Sequence, residues 1–403
     1  MIDKRRILFV DDEPMVLKGI RRMLSPRRRE WDVLFAEGGE KALEMLEHNE
    51  IDVIISDIRM PGMDGITLLR KVQDRYPSVI RVTLTGQPHE DYADGYVDCA
   101  HQSLVKPCDN GTLFKVIGEA LRAADLRLEP RMKEVVSRIS SLPTLPKVYQ
   151  SILDELHREP VDLQAVARLM RQDVGICAKV LTLANSQYFG FREKIAEPER
   201  AVVLLGTNVI KAMILSINVF SAYNADGIPE FSLEQLWGHC QRTACIARAI
   251  ARTEGLDRQG QDHAFMAGLL HDLGKLIFCT EFTDDYRKLL QAVRSGKGTV
   301  TALERDYFGT THAKVGAYLM GLWGMQSPAV DAIADHHSTH MLGEDKMVRT
   351  IVFSASILDH KLVVLNHEYF RPEVPESRFR ELGLEERYAT WSELAETVLE
   401  DCS

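Results

Sequence analysis

Four short apolar runs in the first 110 residues each end on a chemically active side chain, and no other feature constrains the fold as much. Ile7-Leu8-Phe9-Val10 stops at Asp11-Asp12, Val53-Ile54-Ile55 runs to Asp57, Val82-Thr83-Leu84 to Thr85, and Leu104-Val105 to Lys106. Runs this short and this rich in β-branched residues read as buried strands. Parallel strands set their carboxyl ends along one sheet edge, so these distant residues are expected to meet there. Helical patterns lie between the runs, at 14–24 (Val16, Ile20, Met23, Leu24) and 40–48 (Ala42, Leu43, Leu46). The alternation predicts a doubly wound α/β domain with a parallel sheet.

A cluster of acids at one edge repels itself unless a hard divalent cation such as Mg²⁺ is bound by its oxygens. Asp57 is then the expected nucleophile. A carboxylate can take a phosphoryl group from a donor while the metal and the Lys106 ammonium offset the charge building on its oxygens, and Thr85 offers a hydroxyl to one of them. A single Asp at a strand end is more simply a solvated turn residue. The joint pattern argues for a phosphate-accepting site.

Val-Asp-Asp-Glu-Pro (10–14), Ser-Asp-Ile-Arg-Met-Pro-Gly-Met-Asp-Gly (56–65), Leu-Thr-Gly (84–86) and Val-Lys-Pro (105–107) together resemble a two-component receiver domain, over residues 4 to about 125. The resemblance implies a flavodoxin-like fold with a five-stranded parallel sheet and Asp57 as phosphoacceptor. It also implies Mg²⁺ held by Asp11, Asp12, Asp57 and the Arg59 backbone carbonyl, and a histidine kinase as donor. One position departs from the pattern. Three residues before the lysine, where receivers carry a Tyr or Phe that turns inward on phosphorylation, this chain has Ser103, with His101 two residues earlier.

The chain has 403 residues, and its 45% hydrophobic content leaves material for a second core. A formal net charge of −10 without an extended basic stretch argues against coating nucleic acid, and Arg27-Arg28-Arg29 most simply caps a helix end. Seven scattered cysteines without a Cys-x-x-Cys pair read as reduced thiols. No apolar stretch approaches the roughly 20 residues that a bilayer helix requires, so a cytoplasmic protein is expected.

After Lys106-Pro107 the pattern is helical. Leu113, Ile117, Leu121, Ala124, Leu128, Met132, Val135 and Ile139 recur every three or four residues, as on a connecting helix that Pro130 breaks or kinks. Such a stripe covers its own domain more often than it dimerises, which leaves a homodimer as a possible state. Residues 142–365 carry amphipathic segments near 147–157, 163–171, 176–186, 200–217, 232–253, 262–278, 300–322 and 328–337, an all-α half. A polar tail from about 366 ends in a short helical pattern, Ser392 to Leu399.

Within an apolar helical run of this half, Gly268-Leu-Leu-His-Asp-Leu-Gly-Lys275 sets His271 beside Asp272. Buried polar neighbours need partners. His239, His312, His336 and His337 are available to converge on them. Several imidazoles and a carboxylate suit Zn²⁺, Fe or Mn²⁺, and two such metals can activate water for phosphoester hydrolysis. Taken singly, each His is more simply a hydrogen-bonded core or surface residue.

Residues 136 to about 360 resemble the HDOD domain, an HD-related output domain of bacterial signalling proteins. The likeness rests on Ser-Leu-Pro-Thr-Leu-Pro (141–146), Val-Leu-Thr-Leu-Ala-Asn-Ser-Gln-Tyr-Phe-Gly (180–190), Ala-Val-Val-Leu-Leu-Gly-Thr (201–207), the 267–275 motif, Phe-Gly-Thr-Thr-His (308–312) and His336-His337. That family is related to HD-type phosphohydrolases and HD-GYP phosphodiesterases. The relation implies metal-ligand positions at His239, His271, Asp272, His312, His336 and His337, and a phosphate-contacting Lys275. Two pieces depart from those enzymes. Ser338-Thr-His-Met-Leu-Gly replaces the Asp-Gly-x-Gly-Tyr-Pro loop, and Ser356 stands where a ligand Asp is expected, with Asp359 one turn on.

Leu163-Gln-Ala-Val-Ala-Arg-Leu-Met170 followed by Val174-Gly-Ile-Cys-Ala-Lys-Val-Leu181 has helix-turn-helix spacing. Its second helix offers only Lys179 as a cation, too little to neutralise phosphates, so the pair is read as core packing and no DNA partner is expected. The sequence thus predicts a receiver at 1–125, a connecting helix at 126–140, an all-α HDOD output domain at 141–362 and a C-terminal extension at 363–403. Phosphorylation at Asp57 is expected to switch an output that acts by binding another signalling protein. The alternative is a receiver-gated, metal-dependent phosphohydrolase acting on a cyclic dinucleotide or nucleotide.

Overall fold

The computed structural model describes residues 4–86, 99–106, 108–126, 132, 135, 147–158, 160–185, 189, 193–222, 228, 231–325, 327–341, 346–363 and 377–400. Two compact units result, Met1–Val161 with Met320–Met325, and Asp162–Leu319 with Gln326–Ser403. Pro130 and most of 126–140 lie outside the described residues, as do residues 141–146.

In the first unit, β1 (Arg5–Val10), β2 (Trp31–Ala36), β3 (Val53–Asp57), β4 (Ile80–Thr85) and β5 (Gln102–Val105) form one parallel sheet in the order 2-1-3-4-5. The helices are α1 (Pro14–Met23), α2 (Gly39–His48), α3 (Gly65–Arg75), α4 (Asn110–Leu126) and α5 (Lys147–His157). Ile7 to Val10 and Val53 to Ile55 are fully buried, as central strands covered on both faces must be. β2 was not among the four runs. It pairs only with β1, and most of its side chains stay half-exposed, so its apolar signal is weak. The order reverses between β1 and β3, the switch point at which a crevice opens beyond the strand ends.

The second unit is helical: α6 (Leu163–Met170), α7 (Val174–Ala184), α8 (Pro198–Leu205), α9 (Thr207–Ala222), α10 (Leu233–Thr253), α11 (Arg258–Leu270), α12 (Leu273–Glu281), α13 (Thr283–Arg294), α14 (Val300–Phe308), α15 (His312–Leu322), α16 (Ser327–Asp335), α17 (Met347–Leu362), α18 (Ser377–Glu381) and α19 (Glu385–Glu400). The last residues of α15 cluster with the first unit. Central α10 packs on α11, α17 and α19, and side-chain oxygens of Ser232, Asp257 and Thr299 cap α10, α11 and α14.

Several expected helices are corrected. The run at 200–217 is two helices parted at Gly206 (φ 84°), and 300–322 is two parted around Gly309 (φ 71°), because a left-handed backbone ends a helix. The run at 262–278 breaks at His271-Asp272. α13 was not anticipated, and the tail helix begins at Glu385, burying Trp391 completely. The helix read as core packing, α7, is capped by Asp173 and buries Ile176, Val180 and Ala184, while Val174 at its start stays 80% exposed. Among the described residues no single helix is long and apolar enough to cross a membrane; Pro198–Leu205 and Thr207–Ser221 pass that test only together, across a 117° bend.

Candidate functional site

The carboxyl edge of the sheet gathers the residues that the strand ends announced. Asp11 follows β1, Asp57 ends β3, Thr85 ends β4 and Lys106 follows β5, its backbone N–H donating to the Thr85 carbonyl at 2.7 Å. Lys106 Nζ donates to Asp11 Oδ2 at 2.7 Å and lies 3.1 Å from Asp57 Oδ2. The Glu13 N–H holds Asp11 Oδ1, and the Ile58 N–H holds Asp57 Oδ1, each at 2.9 Å. Carboxylate oxygens of Asp11, Asp12 and Asp57 lie within 4.8 Å of one another. Thr85 is buried, and Arg59 is exposed just beyond β3.

Burial pushes the Asp57 carboxyl above its ordinary value, against the pull of Lys106. Burial also works against the Lys106 charge, but the Asp11 hydrogen bond and the two carboxylates lift it above its ordinary range. The lysine is therefore a fixed cation at the nucleophile. Gly65 makes room for this arrangement: a Cβ there would stand 1.9 Å from the Asp57 carbonyl oxygen, so α3 can start over the nucleophile only without a side chain.

The second unit brings all six expected HD-like residues together. Asp272 is the centre. Its Oδ2 lies 3.6 Å from both His239 Nε2 and His271 Nε2; its Oδ1 lies 3.1 Å from His312 Nε2 and 3.6 Å from His336 Nε2. His337 Nε2 is 3.0 Å from His312 Nε2. Each inner nitrogen is oriented by what the other ring nitrogen touches. His239 Nδ1 meets Asp359 Oδ2 at 2.6 Å, His271 Nδ1 the Gly268 carbonyl at 2.8 Å, His312 Nδ1 Glu304 Oε2 at 2.7 Å and His336 Nδ1 the Ile333 carbonyl at 2.7 Å. Four acceptors outside the cluster hold protons on Nδ1, so the Nε2 atoms are the ones that face inward, the arrangement that prepares imidazoles as metal ligands once each Nε2 is deprotonated.

Asp272 Oδ1 is buried without a hydrogen-bond donor, while Oδ2 accepts from Lys275 Nζ at 2.6 Å. An orphaned carboxylate oxygen among inward-facing imidazoles fits a borderline divalent metal. Burial pushes His271 well below its ordinary value, opposed by Asp272. His312 rises to about 9 because, against burial, the Glu304 charge and the Asp272 contact favour its charged form.

Local backbone explains why these groups meet. The break after Leu270 makes Asp272 the residue that starts α12, and Gly274 lets α12 lie against α15, since a Cβ there would stand 2.0 Å from the His312 carbonyl oxygen. The sequence reading missed Glu304 and Arg242 and gave Asp359 no role. Glu304 is fully buried and accepts from both the His312 N–H (2.9 Å) and its ring. Asp359 faces Arg242 Nε at 2.6 Å and Nη2 at 3.1 Å, so it supports His239 from behind. Ser356 is buried on α17.

The family model of the response regulator receiver domain matches residues 7–118, and that of the HDOD domain matches residues 142–339. An HDOD domain protein of unknown function from Geobacter sulfurreducens is similar at 25% identity, with 67% of this chain and 94% of that chain covered and a TM-score of 0.53. An uncharacterized protein of Treponema pallidum (strain Nichols) is 24% identical over 55% of this chain and 42% of its own length. The transcriptional regulatory protein GlrR of Escherichia coli (strain K12) is 27% identical over 62% of this chain and 49% of its own. The chain thus spans about half the length of these curated relatives or less. Receiver domains generally bind Mg²⁺ and take a phosphoryl group from a donor such as a histidine kinase. With both domain matches lying on the two sites just described, the chain carries a response regulator receiver domain followed by an HDOD domain.

Proposed function

We propose that Asp57 accepts a phosphoryl group from a histidine kinase and that the added charge shifts the HDOD output between two arrangements. The observation that carries this reading is the Lys106 ammonium bridging Asp11 and Asp57 at the sheet edge. Asp11, Asp12 and Asp57, with the Arg59 carbonyl, would hold Mg²⁺, which supplies charge neutralisation when bound. Lys106 stabilises the anionic oxygens, and the Thr85 hydroxyl donates to one of them. Receiver 1–125, connector 126–140, output 141–362 and extension 363–403 are the working divisions. A charge added at Asp57 biases arrangements that already exist, so the output needs no chemistry and acts by binding a signalling protein in the cytoplasm. Acetyl phosphate with Mg²⁺ is expected to add one phosphoryl group to wild type and none to Asp57→Ala. Equal labelling by intact mass overturns this reading.

A second reading, a metal-dependent phosphohydrolase, is favoured by five imidazoles meeting around Asp272. His239, His271, Asp272, His312, His336 and His337 would hold Zn²⁺, Fe or Mn²⁺, which would activate water. Loss of cyclic-dinucleotide or nucleotide hydrolysis in His271→Ala supports it. Wild type without turnover on either substrate class leaves protein binding as the output.

A further inference from the structure

The two halves of the Asp272 cluster are unequal. On the Oδ2 side, His239 Nε2 and His271 Nε2 face each other at 3.1 Å, and each lies 3.6 Å from Asp272 Oδ2. Lys275 Nζ occupies Oδ2 itself at 2.6 Å, placing a positive charge beside the pair. The carboxylate next to this half, Asp359, is engaged outward by His239 Nδ1 and by Arg242. This half is already balanced.

The Oδ1 side is not. His312 Nε2 lies 3.3 Å from His336 Nε2 and 3.0 Å from His337 Nε2, and all three face a buried oxygen that has no donor. A single proton bridges two acceptors, not four. Glu304 behind His312 adds negative charge, which favours a cation in front of it.

We propose that the centre holds one transition-metal ion, bound by Asp272 Oδ1, His312, His336 and His337, and that Lys275 stands in for a second ion at the His239–His271 half. This deepens the metal-centre reading above and rests on it. The halves differ in what neutralises Asp272, a metal on one oxygen and an ammonium on the other. With the His312 Nε2 proton released to solvent on binding, three imidazoles and one carboxylate form a four-donor set of the kind that Zn²⁺ accepts.

The test is Zn²⁺ titration of the full-length, chelator-stripped protein, with bound metal counted by elemental analysis and the melting temperature of each metal-free variant reporting its fold. Wild type is expected to bind one Zn²⁺. His312→Gln and, at a half-buried ring less demanding of the core, His337→Gln are expected to weaken binding at least about 10-fold, whereas His239→Gln keeps it. Lys275→Met is expected to raise the count to two. Two ions in wild type, retention in His337→Gln with loss in His239→Gln, or a count of one in Lys275→Met each overturn the proposal while leaving a metal centre in place. No Zn²⁺ bound to wild type overturns the metal-centre reading, and this inference with it.

Discussion

Ser103 on β5 donates its hydroxyl hydrogen to the carboxylate of Asp154 on α5, inside the first compact unit. Both residues are buried, at 8% and 3% exposure. The position at which receivers carry an inward-turning aromatic is here a polar link to a helix beyond the α/β sheet. Ser103 pairs with Thr83 across the ladder, two residues before Thr85, so a shift at the phosphorylation edge has a short backbone route to it. Ser103→Ala removes the donor and leaves a buried carboxylate short of one hydrogen bond. A loss of about 1–3 kcal/mol is expected. Urea unfolding with an unchanged midpoint would show that the link is not stabilising.

Lys106→Met removes the cation that bridges Asp11 and Asp57. Phosphorylation by acetyl phosphate and Mg²⁺ is expected to slow on the order of 100-fold, comparable to deleting one oxyanion-stabilising donor, while labelling still reaches Asp57. Wild-type rates in that variant would remove Lys106 from the reaction.

Gly274→Ala places a methyl group against the His312 carbonyl oxygen, backbone that cannot rotate away. α12 must withdraw from α15, separating Asp272 from His312. The cost is expected to be about 1–3 kcal/mol, with loss of Zn²⁺ binding. A variant that melts and binds as wild type does would mean that the two helices adjust without cost.

His101 gives a pH prediction. The Arg81 N–H donates to its Nδ1 at 3.0 Å, and Arg81 Nη2 lies 3.0 Å from Nε2. Burial first, and the Arg81 charge second, hold it well below the ordinary 6.5. The folded state therefore keeps His101 neutral while the unfolded chain takes up a proton below that value. Stability is complete above pH 6.5 and falls as the solution is acidified, by up to about 1.4 kcal/mol per pH unit from this group. The His101→Gln variant is expected to show a shallower acid slope in denaturant titrations; parallel slopes would assign the acid sensitivity elsewhere.

The receiver half was legible because its information is local. Each strand is a continuous buried run, each active residue sits at its end, and parallel pairing brings the ends together whatever the loops do. β2 escaped notice because an edge strand buries too little to show a period. In the helical half the periodicity located the helices but not their breaks. With 300–322 read as one helix, Glu304 stands about 12 Å of rise from His312. The turn at Gly309 folds it back to 2.7 Å from the ring.

The sequence by itself determined the two architectures, the Asp57 edge and the identity of the six residues of the Asp272 cluster, because strand ends and motif chemistry are written residue by residue. Only the tertiary structure decided how those six divide. Which Asp272 oxygen meets Lys275 and which meets no donor, and whether Asp359 faces the cluster or Arg242, depend on helix breaks and on glycine contacts between helices. Periodicity carries no such distances, since a helix repeats its faces regardless of where it stops.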